Sequence, residues 1–185
     1  MSKTEEEGKS NSSFTVIGLL TDKGVKVSKR EHVDELSAKG YGTKDEKGLL
    51  LVFYEALYLV DKGILRIENK SGEKVDFQNL LQSFETTDEN AWVKYLTYRD
   101  LRSRGYVVRE GFGLGVDFRV YDRGEYSKDT AKSLVLSMQE GKPISTKDLI
   151  NAVKQSQKLK KELILAVMNR RGETVYYSVS QMTIK

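Results

Sequence analysis

Cysteine is absent from this 185-residue chain, and proline and histidine occur once each, as Pro143 and His32. Without cysteine, disulfides, thiolate metal sites and thiol nucleophiles are excluded, and a reducing cytoplasm is the expected compartment. The one histidine lies in a polar stretch, where a surface or helix-end position is expected. The second half of the chain has neither histidine nor cysteine, which excludes the usual zinc sites and nucleophile–base pairs there, and no metal or cofactor is implied. No apolar run approaches the roughly 20 residues that cross a bilayer, and the N-terminus lacks a charged-then-apolar leader pattern. A soluble chain with no membrane partner is expected.

What is present points to a folded protein. Apolar residues make up 38% of the sequence, with ten tyrosines and six phenylalanines spread along it. That is enough apolar surface to offset chain entropy in one ordinary domain or two small ones. Charge is uneven: from Tyr95 to Lys185 there are 17 Lys and Arg against 10 Asp and Glu, whereas the first 94 residues hold 14 against 17. A basic C-terminal half suits a polyanion held by phosphate contacts, and equally a merely soluble basic domain.

The pattern along the chain predicts three parts. Residues 1–13, with Glu5, Glu6 and Glu7 and no periodicity, read as a mobile tail. Residues 14–85 read as a small mixed α/β domain. Its expected parts are a hairpin of Phe14 to Leu20 with Gly24 to Val27, a polar helix near Arg30 to Ala38, and a buried helix from Leu49 to Asp61. A second pair, Ile64 to Glu68 with Lys74 to Phe77, and an amphipathic helix to Phe84 complete it. The polar stretch Glu85 to Glu89 breaks the periodicity and marks the boundary. Residues 86–185 predict a helix from Asn90 to Arg104, then strands at Tyr106 to Glu110, Gly115 to Tyr121 and Ser133 to Met138. A helix from Thr146 to Leu159 and strands at Leu163 to Met168 and Thr174 to Val179 follow. Ser145 and Asp148 have capping-box spacing. The order predicts a mixed sheet flanked by helices, and the whole an α/β (α+β) fold.

Few residues carry obvious chemistry. The run Gly111 to Gly115 lies between strands and lacks the Lys-Ser/Thr ending of a phosphate loop, so it reads as a hairpin turn. Asp117 with Glu140-Gly-Lys142 is the only arrangement resembling a magnesium-dependent nuclease of restriction type. On the helix Thr146 to Leu159, Leu149, Ile150 and Val153 are expected to face inward, leaving Lys147, Lys154 and Lys158 outward as a solvated face or an RNA contact.

One stretch is more specific. Gly105-Tyr-Val-Val-Arg-Glu-Gly-Phe-Gly-Leu-Gly-Val-Asp-Phe-Arg-Val-Tyr121-Asp-Arg-Gly124 resembles the signature strands of the archaeal tRNA splicing endonucleases. The preceding Tyr98-Arg-Asp-Leu-Arg-Ser-Arg-Gly105 is similar too, as are Tyr54-Glu-Ala-Leu-Tyr-Leu-Val-Asp-Lys-Gly63, the region Lys160 to Val167 and Val175-Tyr-Tyr177. The resemblance runs in order over most of the chain. It implies a nuclease-like C-terminal domain and a metal-free cut that leaves a cyclic phosphate and a free 5′ hydroxyl, made by a tyrosine, a histidine and a lysine.

Carried over, the tyrosine falls on Tyr121 and the lysine on Lys161, but the histidine position holds Thr130 after a one-residue deletion. Threonine cannot protonate the leaving alkoxide, and a positioned general acid is worth about 10² to 10⁴ in rate. The resemblance therefore implies a structural, non-catalytic subunit of the crenarchaeal heterotetrameric type, in which Tyr121 and Lys161 are vestigial. Its implied partners are a catalytic endonuclease subunit, two of each chain, and precursor tRNA with a bulge-helix-bulge motif. Lys154 falls where the family's cutting subunits have a base-clamping arginine. The loop Asn169 to Glu173, which in the family is typically acidic and inserts into a basic cleft of the neighbouring subunit, here carries Arg170 and Arg171, so either that contact is made differently or these arginines face RNA. Lys154, Lys158, Lys160, Arg170 and Arg171 are the candidate RNA-binding residues.

Overall fold

The computed structural model describes residues 15–122 and 131–182; the tail at residues 1–13 and the position of Thr130 lie outside them. The first half builds a sheet in the order β3-β4-β2-β1-β5-β6. Strands β1 (Val16–Thr21) and β2 (Gly24–Val27) form the expected hairpin, with Leu20 opposite Val25. β5 (Leu65–Glu68) runs parallel to β1 on its other side and pairs with the short β6 (Lys74–Val75). The helices are α1 (Arg30–Ala38), α2 (Phe53–Asp61) and α3 (Phe77–Glu85), the last capped by the Asp76 carboxylate, which accepts from the Asn79 N–H at 2.8 Å.

Two expectations are corrected here. Leu49 to Asp61 is not one helix: β3 (Thr43–Asp45) and β4 (Gly48–Leu51) form a second hairpin, and α2 begins only at Phe53. A short apolar run cannot be assigned from periodicity alone. Here the cap decides: the Glu55 carboxylate reaches back to the Val52 N–H at 3.2 Å and starts the helix there. His32 is not at the surface; it is 7% exposed, on the inner side of α1 with Val33 and Leu36.

The second half builds a five-stranded sheet in the order β11-β10-β9-β8-β7. Its strands are β7 (Val107–Glu110), β8 (Phe118–Tyr121), β9 (Ser133–Gln139), β10 (Glu162–Met168) and β11 (Thr174–Val179). Only β9 and β10 run parallel, and α5 (Thr146–Leu159) connects them. A parallel pair cannot be joined by a tight turn, which is why a helix is inserted at this point of the order. The Ser145 hydroxyl accepts from the Asp148 N–H and caps α5, as the spacing predicts. Glycines with positive φ at 113 and 115 make the β7–β8 turn.

The long α4 (Ala91–Ser103) packs on one face of this sheet and against α2 of the first half. One continuous core results, with Tyr54 of α2 against Tyr98 of α4 (ring centroids 4.9 Å apart) and Phe118 of β8 (5.1 Å). Around it two arginines of the second half clamp the segment between α1 and β3. The Arg102 guanidinium lies 4.0 Å over the Tyr41 ring and donates to the Lys39 carbonyl, while Arg109 donates to the Gly40 carbonyl and to Thr43. On the opposite face α5 covers only a small apolar cluster of Leu134, Ala152 and Leu163. Ile150 does not face inward; it is 46% exposed, and Ala152 and Ser156 are the buried positions of α5. No helix of the described residues is long and apolar enough to cross a membrane.

Candidate nucleic-acid site

Register, rather than sequence proximity, assembles the candidate site. Val120 of β8 lies opposite Ser133 of β9, and Ser133 lies beside Glu162 of β10. The next row outward holds Tyr121, Lys132 and Lys161, with the Lys132 N–H donating to the Val120 carbonyl at 2.8 Å. Strand alternation puts Tyr121 on the same face as Arg119 and Leu134, the α5 side of the sheet. Two strand spacings, about 10 Å, separate the Tyr121 and Lys161 backbones. Tyr121 is 3% exposed, so its ring is a packed group, whereas Lys161 is half-buried. Lys132, which the sequence did not single out, shares this row and is ion-paired to Asp122 at 3.0 Å. That pairing holds the Lys132 ammonium above its usual range, chiefly through the hydrogen bond it donates to the Asp122 carboxylate.

The candidate RNA-binding residues fall into two groups. Lys154, Lys158 and Lys160 are exposed along the outer side and end of α5, on the approach to Lys161. Lys160 is the one non-glycine residue among those described with a positive φ, at 54°, and its left-handed backbone ends α5 and turns the chain so that Lys161 leads into β10. Arg170 and Arg171 are exposed too, but at the far end of β10, six residue steps or about 20 Å away. They sit in a tight turn built by Asn169, whose side-chain oxygen accepts from the N–H groups of Arg171 and Glu173. One strand thus carries a basic end at Lys160 and Lys161 and a second basic end at Arg170 and Arg171.

The magnesium-nuclease arrangement fails on geometry. One Asp117 oxygen meets the Lys94 ammonium at 3.0 Å and the other accepts from the Ser137 N–H at 2.7 Å. Lys94 also binds Asp88 at 2.6 Å, and these two carboxylates hold its ammonium above the usual range despite the opposing effect of burial. Asp117 is therefore a structural partner that ties α4 to β8 and β9. Among the described residues no group of three His, Asp or Glu side chains is placed to hold a metal ion.

Comparison with known proteins agrees with this architecture half by half. Residues 16–81 match the tRNA intron endonuclease N-terminal domain, and residues 91–177 match the tRNA intron endonuclease catalytic C-terminal domain. The chain is 31% identical over 170 residues to the tRNA-splicing endonuclease of Methanococcus maripaludis, covering 92% of this chain and 96% of that protein. It is 34% identical over 141 residues to the tRNA-splicing endonuclease of Pyrococcus furiosus, covering 76% and 81%. The tRNA-splicing endonuclease of Methanosarcina acetivorans is 36% identical over 152 residues, which are 81% of this chain but 42% of that longer protein. With both halves matched in order and nearly the whole length of a relative covered, the chain belongs to the tRNA-splicing endonuclease family.

Proposed function

We propose that this chain is the structural, non-catalytic subunit of a tRNA splicing endonuclease, holding precursor tRNA while a catalytic relative cuts it. The observation that carries this reading is Thr130 at the position where the chemistry needs a proton donor. Attack of a ribose 2′ oxygen on the adjacent phosphorus expels a 5′ alkoxide, which must be protonated as the bond breaks. A threonine hydroxyl is far too weak an acid for this at neutral pH. The enclosure of Tyr121 supports the same reading, because a ring that is 3% exposed is placed to fill space beside β7 and β9.

What remains suits binding and assembly. The exposed lysines of α5 offer point charges to phosphates. β11 is an edge strand whose outward residues include Val175 and Tyr177, 46% and 53% exposed, a pairing-competent edge for a second subunit. Two of each chain, a precursor with a bulge-helix-bulge motif, a cytoplasmic setting and the division at residues 14–85 and 86–185 complete the proposal. The retained row of Tyr121 and Lys161 favours one second reading, an active metal-independent endonuclease with another group as acid.

Incubating the purified chain alone with a precursor bearing two bulges across a short helix separates the two. The proposal expects binding without turnover, with or without magnesium; repeated turnovers by the chain alone would refute it.

A further inference from the structure

The far end of β10 adjoins a groove that the proposed cutting row does not use. It has a volume of about 480 Å³ and lies between α4, the end of α2 and the β10–β11 turn, lined among others by Lys62, Leu96, Arg99, Arg104 and Gly172. Gly172 takes a left-handed φ of +77° in the turn and faces the Leu96 side chain, which an added Cβ would meet at an ordinary 3.7 Å. Arg170 and Arg171, immediately before Gly172, are thereby held beside the groove and exposed.

Cations outnumber carboxylates here: Lys62, Arg99 and Arg104 line the groove against Asp100 and Glu173, with Arg170 and Arg171 exposed beside it. Among the described residues neither Lys62 nor Arg99 makes an ion pair; each cation lies over an aromatic ring instead, Lys62 over Tyr58 at 5.6 Å and Arg99 over Tyr95 at 5.7 Å. Two nearby carboxylates are engaged, Asp100 by Arg104 and by the Tyr176 hydroxyl at 2.6 Å, and Glu173 by the Asn169 amide at 2.7 Å. Along the same side of α4 the Arg99 guanidinium, the Tyr95 ring and the Trp92 ring form a ladder, with Trp92 and Tyr95 centroids 5.5 Å apart and the indole 40% exposed at its end.

We propose that this groove is a second RNA track, holding a single-stranded segment by its phosphates on Lys62, Arg99, Arg170 and Arg171 with a base stacked on Trp92. Cations alone would suit an acidic peptide equally well; the exposed indole at the end of a guanidinium–aromatic ladder is what a nucleobase requires. The track lies on the α4 side of the sheet, about 20 Å along β10 from Lys161, so it holds a part of the RNA distant from the cutting row. The inference rests on the RNA-holding role proposed above.

Trp92 is the chain's only tryptophan and therefore its own reporter. Titrating the full-length chain with a single-stranded oligoribonucleotide, and with a bulge-helix-bulge RNA carrying single-stranded arms, should quench its emission. Trp92→Ala should weaken binding of labelled RNA about tenfold. Arg170→Glu with Arg171→Glu, both exposed on the β10–β11 turn, should flatten the slope of log K against log salt by about 0.7 per lost contact. Unchanged emission, or charge-reversed protein that binds RNA with the original affinity and salt slope, would overturn the proposal. If the reversal instead weakens only association with the catalytic subunit, the groove holds an acidic protein segment and the RNA track is refuted. Lys154→Ala with Lys158→Ala separates this failure from failure of the functional reading: loss of RNA binding there alone sinks the groove and spares the subunit role, whereas a wild-type chain that binds no RNA sinks both.

Discussion

Replacing Glu55 by glutamine tests how the two halves of the molecule are joined. Glu55 is the one buried carboxylate among the described residues, and its environment is built from both halves. Both its oxygens accept from the Gly42 N–H at 3.1 Å, one accepts from the Val52 N–H, and Arg109 of β7 donates to it at 3.4 Å. Burial pushes its carboxyl up to about 7 from an ordinary 4.5, against the opposing pull of Arg109 and of the two N–H groups. A difference of that size corresponds to about 3 kcal/mol between the two protonation states.

The folded state therefore binds this proton more tightly than the unfolded chain does. The resulting stability is fully present below about pH 4.5 and is lost as the pH rises to about 7. Glutamine cannot titrate, so the difference between wild type and Glu55→Gln should change by about 2 kcal/mol between roughly pH 5.5 and 8, in the variant's favour at the alkaline end. A constant offset from its poorer match to three donors is expected on top. Urea denaturation at a series of pH values measures this directly. Parallel curves for the two proteins would refute the reasoning and mean that Arg109 and the two N–H groups already compensate the charge in full.

Three further outcomes are expected. Gly42→Ala, at φ +63° with a new Cβ only 2.6 Å from Leu49, should destabilise the fold by about 2 kcal/mol or more in the same denaturation assay; a loss under about 0.5 kcal/mol would show that the strand β4 gives way. Tyr176→Phe removes the hydroxyl that donates to Asp100 and links β11 to α4, and should cost about 1.5 to 3 kcal/mol; a neutral result would place that link in solvent-equivalent surroundings. Thr130→His, in a complex whose partner has lost its own catalytic histidine, should bring back cleavage by less than the roughly hundredfold lower bound for a general acid, and Lys161→Ala should abolish that gain. Absence of any gain, with assembly intact, would show that Tyr121 and Lys161 serve packing and charge only.

Local features were legible in the sequence, and features set by long-range register were not. The β10–β11 hairpin follows from alternation around Asn169 to Glu173, and the start of α5 from Ser145 three residues before Asp148, because each is decided within a few residues. Leu49, Leu50 and Leu51 were misread because leucine favours a helix, while the strand they form depends on pairing with Val25, Lys26 and Val27. Ile150 and His32 were misplaced for a related reason: helical periodicity gives several faces, and only the packing of α5 and α1 selects one. The row of Tyr121, Lys132 and Lys161 comes from three strands at once, so Lys132 carried no sequence cue of its own. The groove beside α4 was equally hidden, since Lys62, Arg99 and Gly172 are far apart in the chain.

Under the proposed function, cleavage belongs to a partner and not to this chain. The most direct test mixes this chain with its catalytic relative, once intact and once with the relative's general-acid histidine replaced by alanine, and follows precursor cleavage in complexes of verified mass. Cleavage at both splice sites is expected from the intact mixture and none from the second, although both assemble and bind RNA. Cleavage persisting in the second mixture, and lost only when Tyr121 or Lys161 of this chain is replaced, would contradict it.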